Sequence, residues 1–320
     1  MKLSNLALHI DGLTIVRDDG SPLVEDVSLR VPSGQVTALV GESGSGKTLT
    51  ALAVMGLLPS GLHHAAGRLF VDGMDLASQD RRELRGRTVS MVFQEPMTAL
   101  DPVMRIDRQM LESRGRLERL SGAAATQWCH AALASVGIED THRVTRSFPH
   151  ELSGGMRQRV LIAMAMAAEP RLLLADEPTT ALDAVNRAGV LDLIASTCMS
   201  GNGVLLVTHD LAAVRGWAQQ IAVMWRGRLV EIGTAAEVLD QPGHPYTAAL
   251  LECVPKGGSG RLVDVQEAMA AARSSWQVRT VDGPQVPWWP EVDCYWGLRA
   301  ISGNHHVACS LSEPEKCFRT

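Results

Sequence analysis

The sequence lacks any apolar run long enough to cross a membrane as a helix. Its longest apolar stretches, residues 51–58 and 160–168, fall well short of the roughly 20 residues that such a helix needs. The first residues carry no signal-peptide pattern, so we expect a cytosolic protein. An excess of basic residues is also missing, because 30 Lys and Arg against 35 Asp and Glu give a net charge of −5. This balance argues against the positive field that non-specific nucleic-acid binders use.

Cysteine is scarce and scattered, which argues against a disulfide framework. The six cysteines lie far apart in a chain expected to be cytosolic, so we predict free thiols. The 29 glycines and 15 prolines follow no fixed repeat, which excludes a collagen-like chain. With 320 residues, of which 46% are hydrophobic, the chain is long enough for one large or two modest domains with real cores.

Short apolar segments alternate with helical patterns as far as about residue 240. This alternation is typical of an α/β domain with a largely parallel sheet. The opening third is richer in strands, with predicted strands at 6–10, 13–16, 27–31 and 36–40, and two more at 68–71 and 89–93. Between about 106 and 144 the pattern becomes helical and polar, which indicates a helical layer set apart from the sheet.

The composition changes after about residue 240. Residues 241–320 contain several prolines, a Gly-Gly-Ser-Gly stretch and four of the seven tryptophans. We predict a separate appendage with a packed aromatic nucleus of its own and much irregular backbone.

Residues 41–48, with the sequence GESGSGKT, match the phosphate-binding pattern G-x-x-x-x-G-K-[ST] between a predicted strand and a predicted helix. A glycine-rich turn presents backbone N–H groups to an anion at close range, and the helix N-terminus adds its positive end. Lys47 would place its charge near the β- and γ-phosphates, and the Thr48 hydroxyl would bind Mg²⁺. The predicted ligands of the nucleotide in this loop are Gly41, Ser43, Gly44, Ser45, Gly46, Lys47 and Thr48.

A second element places two carboxylates at the end of an apolar strand, Asp176 and Glu177 after 172–175. In a parallel sheet the carboxyl ends of the strands form the ligand-binding edge. We expect Asp176 to hold the Mg²⁺ shell and Glu177 to act as general base or as a water-orienting group. A strand that runs into a solvated acidic turn would look the same in isolation, but the P-loop strengthens the catalytic interpretation.

Ser153, followed by Gly154 and Gly155, stands in the N-cap position of a predicted helix. Backbone amides at such a start can approach an anion. An ordinary helix cap is the alternative interpretation.

At this point the sequence resembles the ATP-binding subunits of ABC transporters, whose signature LSGGMRQR is present at 152–159. The resemblance covers about residues 3–251. It implies a P-loop NTPase core with a RecA-like sheet, an antiparallel β subdomain and a helical subdomain at about 96–158, within a nucleotide-binding domain 1–240, followed by the extension 241–320. In this family two ATP molecules lie between two such domains, so Ser153, Gly154 and Gly155 would serve the partner's nucleotide.

Further family motifs occur in the expected order. Gln94 matches the Q-loop, Asp183 the D-loop that begins at Ala181, and His209 the switch histidine. The resemblance implies that Gln94 contacts Mg²⁺ or the attacking water and that His209 contacts the γ-phosphate. Taken singly, His209 could equally be a satisfied histidine at a strand end and Gln94 a solvated loop residue.

The segments FQEPMTALDP at 93–102 and HPYTAALL at 244–251 resemble importer ATPases for oligopeptides, dipeptides and nickel. That branch implies a second, related but non-identical ATPase subunit, two membrane-spanning permease subunits and a substrate-binding protein. It places the chain on the cytoplasmic face of the cell membrane, without nucleic acid as a partner. A nucleic-acid- or ribosome-directed ABC ATPase is the alternative, although the long insertion or second nucleotide domain of such proteins is missing. An exporter ATPase would fit the motifs but not HPYT.

Two departures from the family pattern concern adenine and iron. The aromatic residue that stacks on adenine is replaced by Arg17, which either stacks its guanidinium on the base or leaves a weaker contact. Relatives often carry four C-terminal cysteines for an iron–sulfur cluster, but here only Cys294 and Cys309 match. Cys317 and His305 or His306 are possible replacements. Because the ligand count is short, we expect free thiols rather than a cluster.

Overall fold

The structure, a computed structural model, describes residues 5–93, 99–115, 120–180, 182–211, 213–253, 265, 269, 276–289 and 295–311. The strands are β1 (Leu6–Arg17), β2 (Pro22–Pro32), β3 (Val36–Val40), β4 (Leu62–Val71), β5 (Met74–Asp75), β6 (Val89–Val92), β7 (Leu172–Asp176), β8 (Gly203–Thr208), β9 (Gln220–Trp225), β10 (Arg228–Thr234), β11 (Val278–Thr280), β12 (Gly283–Gln285), β13 (Tyr295–Ser302) and β14 (His305–Leu311). The helices are α1 (Lys47–Met55), α2 (Arg81–Leu84), α3 (Ile106–Gly115), α4 (Gly122–Ser135), α5 (Thr141–Arg146), α6 (Gly154–Ala165), α7 (Ala184–Thr197), α8 (Ala235–Asp240) and α9 (Pro245–Glu252).

The chain divides into two compact units. The first comprises Met1–Leu8, Val31–Val36 and Phe70–Leu206, and the second comprises His9–Arg30, Thr37–Leu69 and Val207–Thr320. Among the described residues, no helix combines the length and the apolar character that a membrane crossing requires.

The first unit combines parallel strands with the predicted helical layer. Strands β8, β7 and β6 are neighbours in that order, and β6 pairs with β7 in parallel. All five residues of β7 are buried, as expected for a parallel strand that is covered on both faces. Helices α3, α4, α5 and α6 pack on one another and form the helical layer.

The second unit holds the strand order β3-β9-β10-β14-β13. Strand β3 pairs with β9 in parallel, and the remaining pairs are antiparallel. The unit also contains the order β2-β1-β4, which corresponds to the β-rich opening third of the sequence. This arrangement agrees with the predicted α/β class.

Two strand predictions need correction. The strands predicted at 6–10 and 13–16 form one strand, β1, in which Gly12 has a φ of 66° and donates its N–H to Ser28 Oγ at 3.0 Å. Strand β4 starts at Leu62 rather than at Arg68. The sequence did not predict its first half, because this half is exposed and carries no alternating pattern of buried residues.

The C-terminal extension is more regular than its proline and glycine content predicted. Strands β13 and β14 form a hairpin, and β14 pairs with β10, with Glu231 opposite Val307. The aromatic nucleus is shared rather than separate, since Trp225 of β9 lies 5.9 Å from Trp288 and 6.2 Å from Trp289 between ring centroids. The domain boundary near residue 240 stays a prediction.

Candidate nucleotide-binding site

The predicted P-loop connects β3 to α1 in the second unit. Gly41 has a φ of 154°, and a Cβ added there would overlap the carbonyl oxygen of Met224. Gly46, with a φ of 108°, is the N-cap of α1, and its Cβ would lie 2.7 Å from Met224 Cε. Both positions therefore need glycine, because the neighbouring strand β9 leaves no room for a side chain and the backbone is left-handed.

Lys47 lies inside the loop rather than in solvent. The residue is only 4% exposed, and its Nζ donates to the carbonyl oxygens of Gly41 and Glu42, both at 2.8 Å. Ser45 Oγ is 3.4 Å from the same Nζ. Ser43, Gly44 and Thr48 are exposed, whereas Ser45 and Gly46 are buried. An ammonium group, a helix N-terminus and exposed glycine-rich backbone together form a suitable site for phosphate.

Arg17 and His209 also belong to the second unit. Arg17 is exposed at the end of β1, and its guanidinium donates to Ser21 Oγ at 3.2 Å. His209 is exposed directly after β8. The following turn is fixed by Asp210, whose N–H donates to Thr208 Oγ1 at 3.1 Å. The predicted Q-loop residue Gln94 lies outside the described residues, as does Ala181 at the start of the D-loop.

The two acidic residues lie in the first unit, at the end of β7. Asp176 is 3% exposed and Glu177 is 8% exposed. Glu177 has a φ of 45°, a left-handed conformation that costs a non-glycine residue about 1–2 kcal/mol. Its Oε2 accepts a hydrogen bond from Thr180 Oγ1 at 2.9 Å. Strain of this kind is often concentrated at functional residues, so the conformation singles out Glu177 within the strand end.

The signature segment forms the start of α6, as the capping pattern predicted. Ser153 is exposed, and its Oγ accepts the N–H of Met156 at 3.4 Å. Gly154 is exposed and Gly155 is buried. A Cβ on Gly155 would lie 3.0 Å from Asn186 Oδ1, so a side chain there would push against α7.

Asn186 connects the signature with the D-loop position inside the first unit. Asp183 caps α7 by accepting the N–H of Asn186 at 3.0 Å, and it also accepts Asn186 Nδ2 at 2.7 Å. Asn186 was not predicted from the sequence to be a site residue. Its place three residues after a capping aspartate was the available signal.

The role of Tyr246 was not predicted from the sequence, in which this residue stands out only as part of the HPYT segment. This side chain is fully buried, and its hydroxyl contacts Glu42 of the P-loop. A buried tyrosine needs a partner for its hydroxyl, but the sequence does not say which one.

The candidate ligands of an iron–sulfur cluster either contact other residues or lie outside the described residues. Cys309 is buried beside Val278 and Val307, and this burial raises the pKa of its thiol to about 12. His305 Nε2 is 2.7 Å from the buried carboxylate oxygen Oε1 of Glu231. Cys294 and Cys317 are not among the described residues. Within the described part of the chain, no group of three His, Cys, Asp or Glu side chains could hold a metal ion.

Comparisons with known families match both parts of this chain. The model of the ABC transporter family matches residues 24–180, and the model of the oligopeptide/dipeptide transporter C-terminal region matches residues 230–274.

Relatives of known name cover most of the chain. The dipeptide transport ATP-binding protein DppD of Lactococcus lactis is 40% identical over 265 residues, which are 81% of this chain and 75% of that protein. The oligopeptide transport ATP-binding protein AppD of Bacillus subtilis is 43% identical over 239 residues, 73% of each chain. The peptidoglycan transport ATP-binding protein YejF of Agrobacterium fabrum is 43% identical over 258 residues, 79% of this chain but only 46% of that longer protein. These relatives are named for transport, which disfavours the alternative of a nucleic-acid- or ribosome-directed ATPase.

Solved structures agree with the fold. The protein cbiO1 from Clostridium perfringens, described as part of the ABC transporter complex cbiONQ, superposes with a TM-score of 0.64 at 25% identity. The match covers 74% of this chain and 92% of cbiO1. Together with the P-loop and the signature helix, these similarities establish that this chain belongs to the ABC transporter family, as one of its ATP-binding and ATP-hydrolysing members.

Proposed function

We propose that this chain is the ATPase subunit of an importer for oligopeptides or dipeptides. The observation that carries the proposal is the joint presence of a P-loop with a buried lysine and a C-terminal region of the oligopeptide/dipeptide transporter type. The names of the relatives favour peptides over nickel or a metal chelate as cargo.

The P-loop residues are the proposed phosphate ligands. The Lys47 ammonium would add contacts with phosphate oxygens while the two loop carbonyls keep it in place, and the exposed backbone of Ser43 and Gly44 would donate N–H groups. Arg17 is the proposed contact of the adenine base. The proposed phosphate ligands are Gly41, Ser43, Gly44, Ser45, Gly46, Lys47 and Thr48.

Mg²⁺, when bound, would neutralise part of the phosphate charge. Its proposed ligands are Thr48, Asp176 and Gln94. We assign to Glu177 the role of the base that accepts a proton from the attacking water, because its strained backbone and its bond from Thr180 hold the carboxylate in one orientation. His209, exposed after β8, is the proposed contact of the γ-phosphate.

The signature residues are proposed to act on a partner's nucleotide. Ser153 and Gly154 are exposed at the start of α6, as a surface that faces a second ATPase subunit requires. Asp183, which is also exposed, completes this surface, and the buried Gly155 is proposed to support it from beside Asn186, which bonds Asp183.

The remaining partners follow from the importer assignment. They are a related, non-identical ATPase subunit, two membrane-spanning permease subunits and, indirectly, a substrate-binding protein. The chain would work as a peripheral subunit on the cytoplasmic face of the cell membrane. We propose free thiols instead of an iron–sulfur cluster, because Cys309 lies in an apolar environment that disfavours its thiolate.

Vesicles that contain the chain with its partner ATPase and permease subunits test this proposal. With the substrate-binding protein present, labelled di- and oligopeptides should accumulate only with Mg-ATP, and Lys47→Ala should abolish both uptake and ATP hydrolysis. A nickel salt serves as the alternative cargo. Peptide uptake that continues unchanged with Lys47→Ala would refute the assignment.

A further inference from the structure

A tyrosine from the HPYT segment contacts the P-loop directly. Tyr246 lies in the first turn of α9 and is 0% exposed. Its hydroxyl oxygen accepts the backbone N–H of Glu42 at 3.0 Å, across 204 positions of sequence. The same hydroxyl is 3.4 Å from Glu42 Oε2, to which it donates.

The Glu42 N–H and the Gly41 carbonyl belong to one peptide group. The Gly41 oxygen accepts the Lys47 ammonium at 2.8 Å, so the tyrosine hydroxyl and the lysine bond to opposite ends of the same amide. Because a peptide group is planar, a bond that fixes its N–H also fixes the direction of its carbonyl. Hydrogen bonds in such a chain polarise one another, which strengthens the contact with the lysine.

Tyr246 itself is held on several sides. Its ring stacks on Trp225 with centroids 4.9 Å apart and an interplanar angle of 15°. Trp225 directly follows Met224, whose carbonyl lies against Gly41. Burial raises the pKa of the Tyr246 hydroxyl, so this group keeps the proton that it donates to the Glu42 carboxylate.

The N-cap of α9 fixes the backbone of Tyr246. The Nδ1 of His244 accepts the Tyr246 N–H at 3.1 Å, which leaves Nε2 to donate to the Trp288 carbonyl at 3.0 Å. The C-terminal region therefore positions the tyrosine through two hydrogen bonds of one neutral histidine.

We propose that Tyr246 is a positioning residue for the P-loop: its hydroxyl orients the Gly41–Glu42 peptide so that the Gly41 carbonyl holds Lys47 ready for a nucleotide. This inference rests on the proposed role of the P-loop. It gives the HPYT segment a part in nucleotide binding, although the segment lies about 200 positions further along the chain.

Tyr246→Phe removes the hydroxyl and keeps the stacked ring. Thr247→Val is the matched control, because Thr247 is also fully buried in α9 and its Oγ1 has no hydrogen-bond partner among the described residues. We expect Tyr246→Phe to weaken ATP binding about tenfold, since the Glu42 N–H loses its partner, and to raise KM more than it lowers kcat. Thr247→Val should bind ATP like the unmodified chain. Calorimetric titration of ATP gives the affinities, and a melting curve reports folding.

Hydrogen exchange without nucleotide gives an independent readout. In the unmodified chain the Glu42 amide should exchange much more slowly than those of Ser43 and Gly44, and in Tyr246→Phe this protection should be lost. Equal exchange at the three amides of the unmodified chain would overturn the proposal even if Tyr246→Phe failed to fold.

The outcomes separate this inference from the proposed function. If the unmodified chain binds no ATP, the proposed function fails, and the Glu42 exchange still tests the tyrosine contact. If ATP binds and Lys47→Ala abolishes binding, but Tyr246→Phe binds normally, only the inference about Tyr246 fails. An equal loss in Tyr246→Phe and Thr247→Val would also overturn it, because the effect would then come from the packing of α9.

Discussion

In the second unit the P-loop is fixed by residues far away in sequence, whereas in the first unit the signature segment is fixed by its immediate neighbours. Glu42 is bonded by Tyr246, 204 positions away. By contrast, Ser153 bonds Met156 and Asp183 bonds Asn186, each three positions along the chain.

The two kinds of support also differ in burial. Tyr246 and Trp225 are buried aromatic side chains, and Lys47 in the loop is buried as well. The caps at Ser153 and Asp183 are exposed. A phosphate site needs a rigid arrangement of donors, while a surface proposed to meet a partner has to remain accessible. The comparison indicates that buried long-range contacts support the proposed nucleotide site, whereas exposed local contacts support the surface proposed to meet a partner.

The largest expected effect is on chemistry rather than affinity. Glu177→Gln removes the proposed base from the first unit and leaves the P-loop of the second unit intact. ATP hydrolysis by the assembled transporter should fall at least about 100-fold, while ATP affinity stays within about twofold. Phosphate release and ATP titration measure the two quantities. Unchanged turnover would remove Glu177 from its role.

Two glycine substitutions, one in each unit, should differ in their effect on stability. Gly41→Ala places a Cβ on the Met224 carbonyl, which cannot move without shifting β9, so the free energy of unfolding should fall by about 3 kcal/mol. In Gly154→Ala the nearest atom, Leu182 Cδ2, would be 3.8 Å from the new Cβ. That variant should keep its stability within about 1 kcal/mol. Denaturant titration measures both, and equal losses would contradict the comparison.

Low pH should lower the free energy of unfolding of the second unit, because His244 is buried in its neutral form. Burial lowers the pKa of this histidine from 6.5 to about 4. The unfolded chain therefore binds the proton first as the pH falls, and the free energy of unfolding decreases between about pH 6.5 and pH 4. The loss should reach about 3 kcal/mol at pH 4, because one pKa unit corresponds to about 1.4 kcal/mol.

His244→Asn isolates this effect, since asparagine keeps a side-chain acceptor for the N-cap but does not titrate. The variant should be less stable at pH 7, because the bond to the Trp288 carbonyl is lost. Its stability should then depend less on pH between 6.5 and 4. Stability curves of equal slope for the two proteins would contradict the assignment, because the two chains differ only at residue 244.

The smallest expected effect concerns a local cap in the first unit. Asp183→Ala removes the cap of α7 and should cost about 1 kcal/mol of unfolding free energy. Ser121→Ala is the control, because Ser121 occupies the N-cap of α4 without a side-chain cap bond. Thermal or denaturant unfolding should show no change for the control. A loss at Ser121 as large as that at Asp183 would show that the cap bond contributes little.

Local features of the fold and site were predictable from the sequence. Strand β3 occupies the predicted range, β7 extends the predicted apolar run, and Ser153 caps α6 as its position predicted, because each is determined by residues close in sequence. The pairing of β14 with β10 and the contact of Tyr246 with Glu42 were not predictable. Both depend on which distant segments meet, and nothing in one sequence states that directly.

The central claim is that two such ATPases close on ATP with the serine-capped helix of each completing the other's site. Ser153→Arg tests it in the assembled pair, with Ser121→Arg as a matched exposed N-cap control. ATP-dependent association, measured by analytical ultracentrifugation with the partner subunit, should be lost in Ser153→Arg while the ATP affinity of the separate chain is retained. Association and hydrolysis as strong as those of Ser121→Arg would contradict the account.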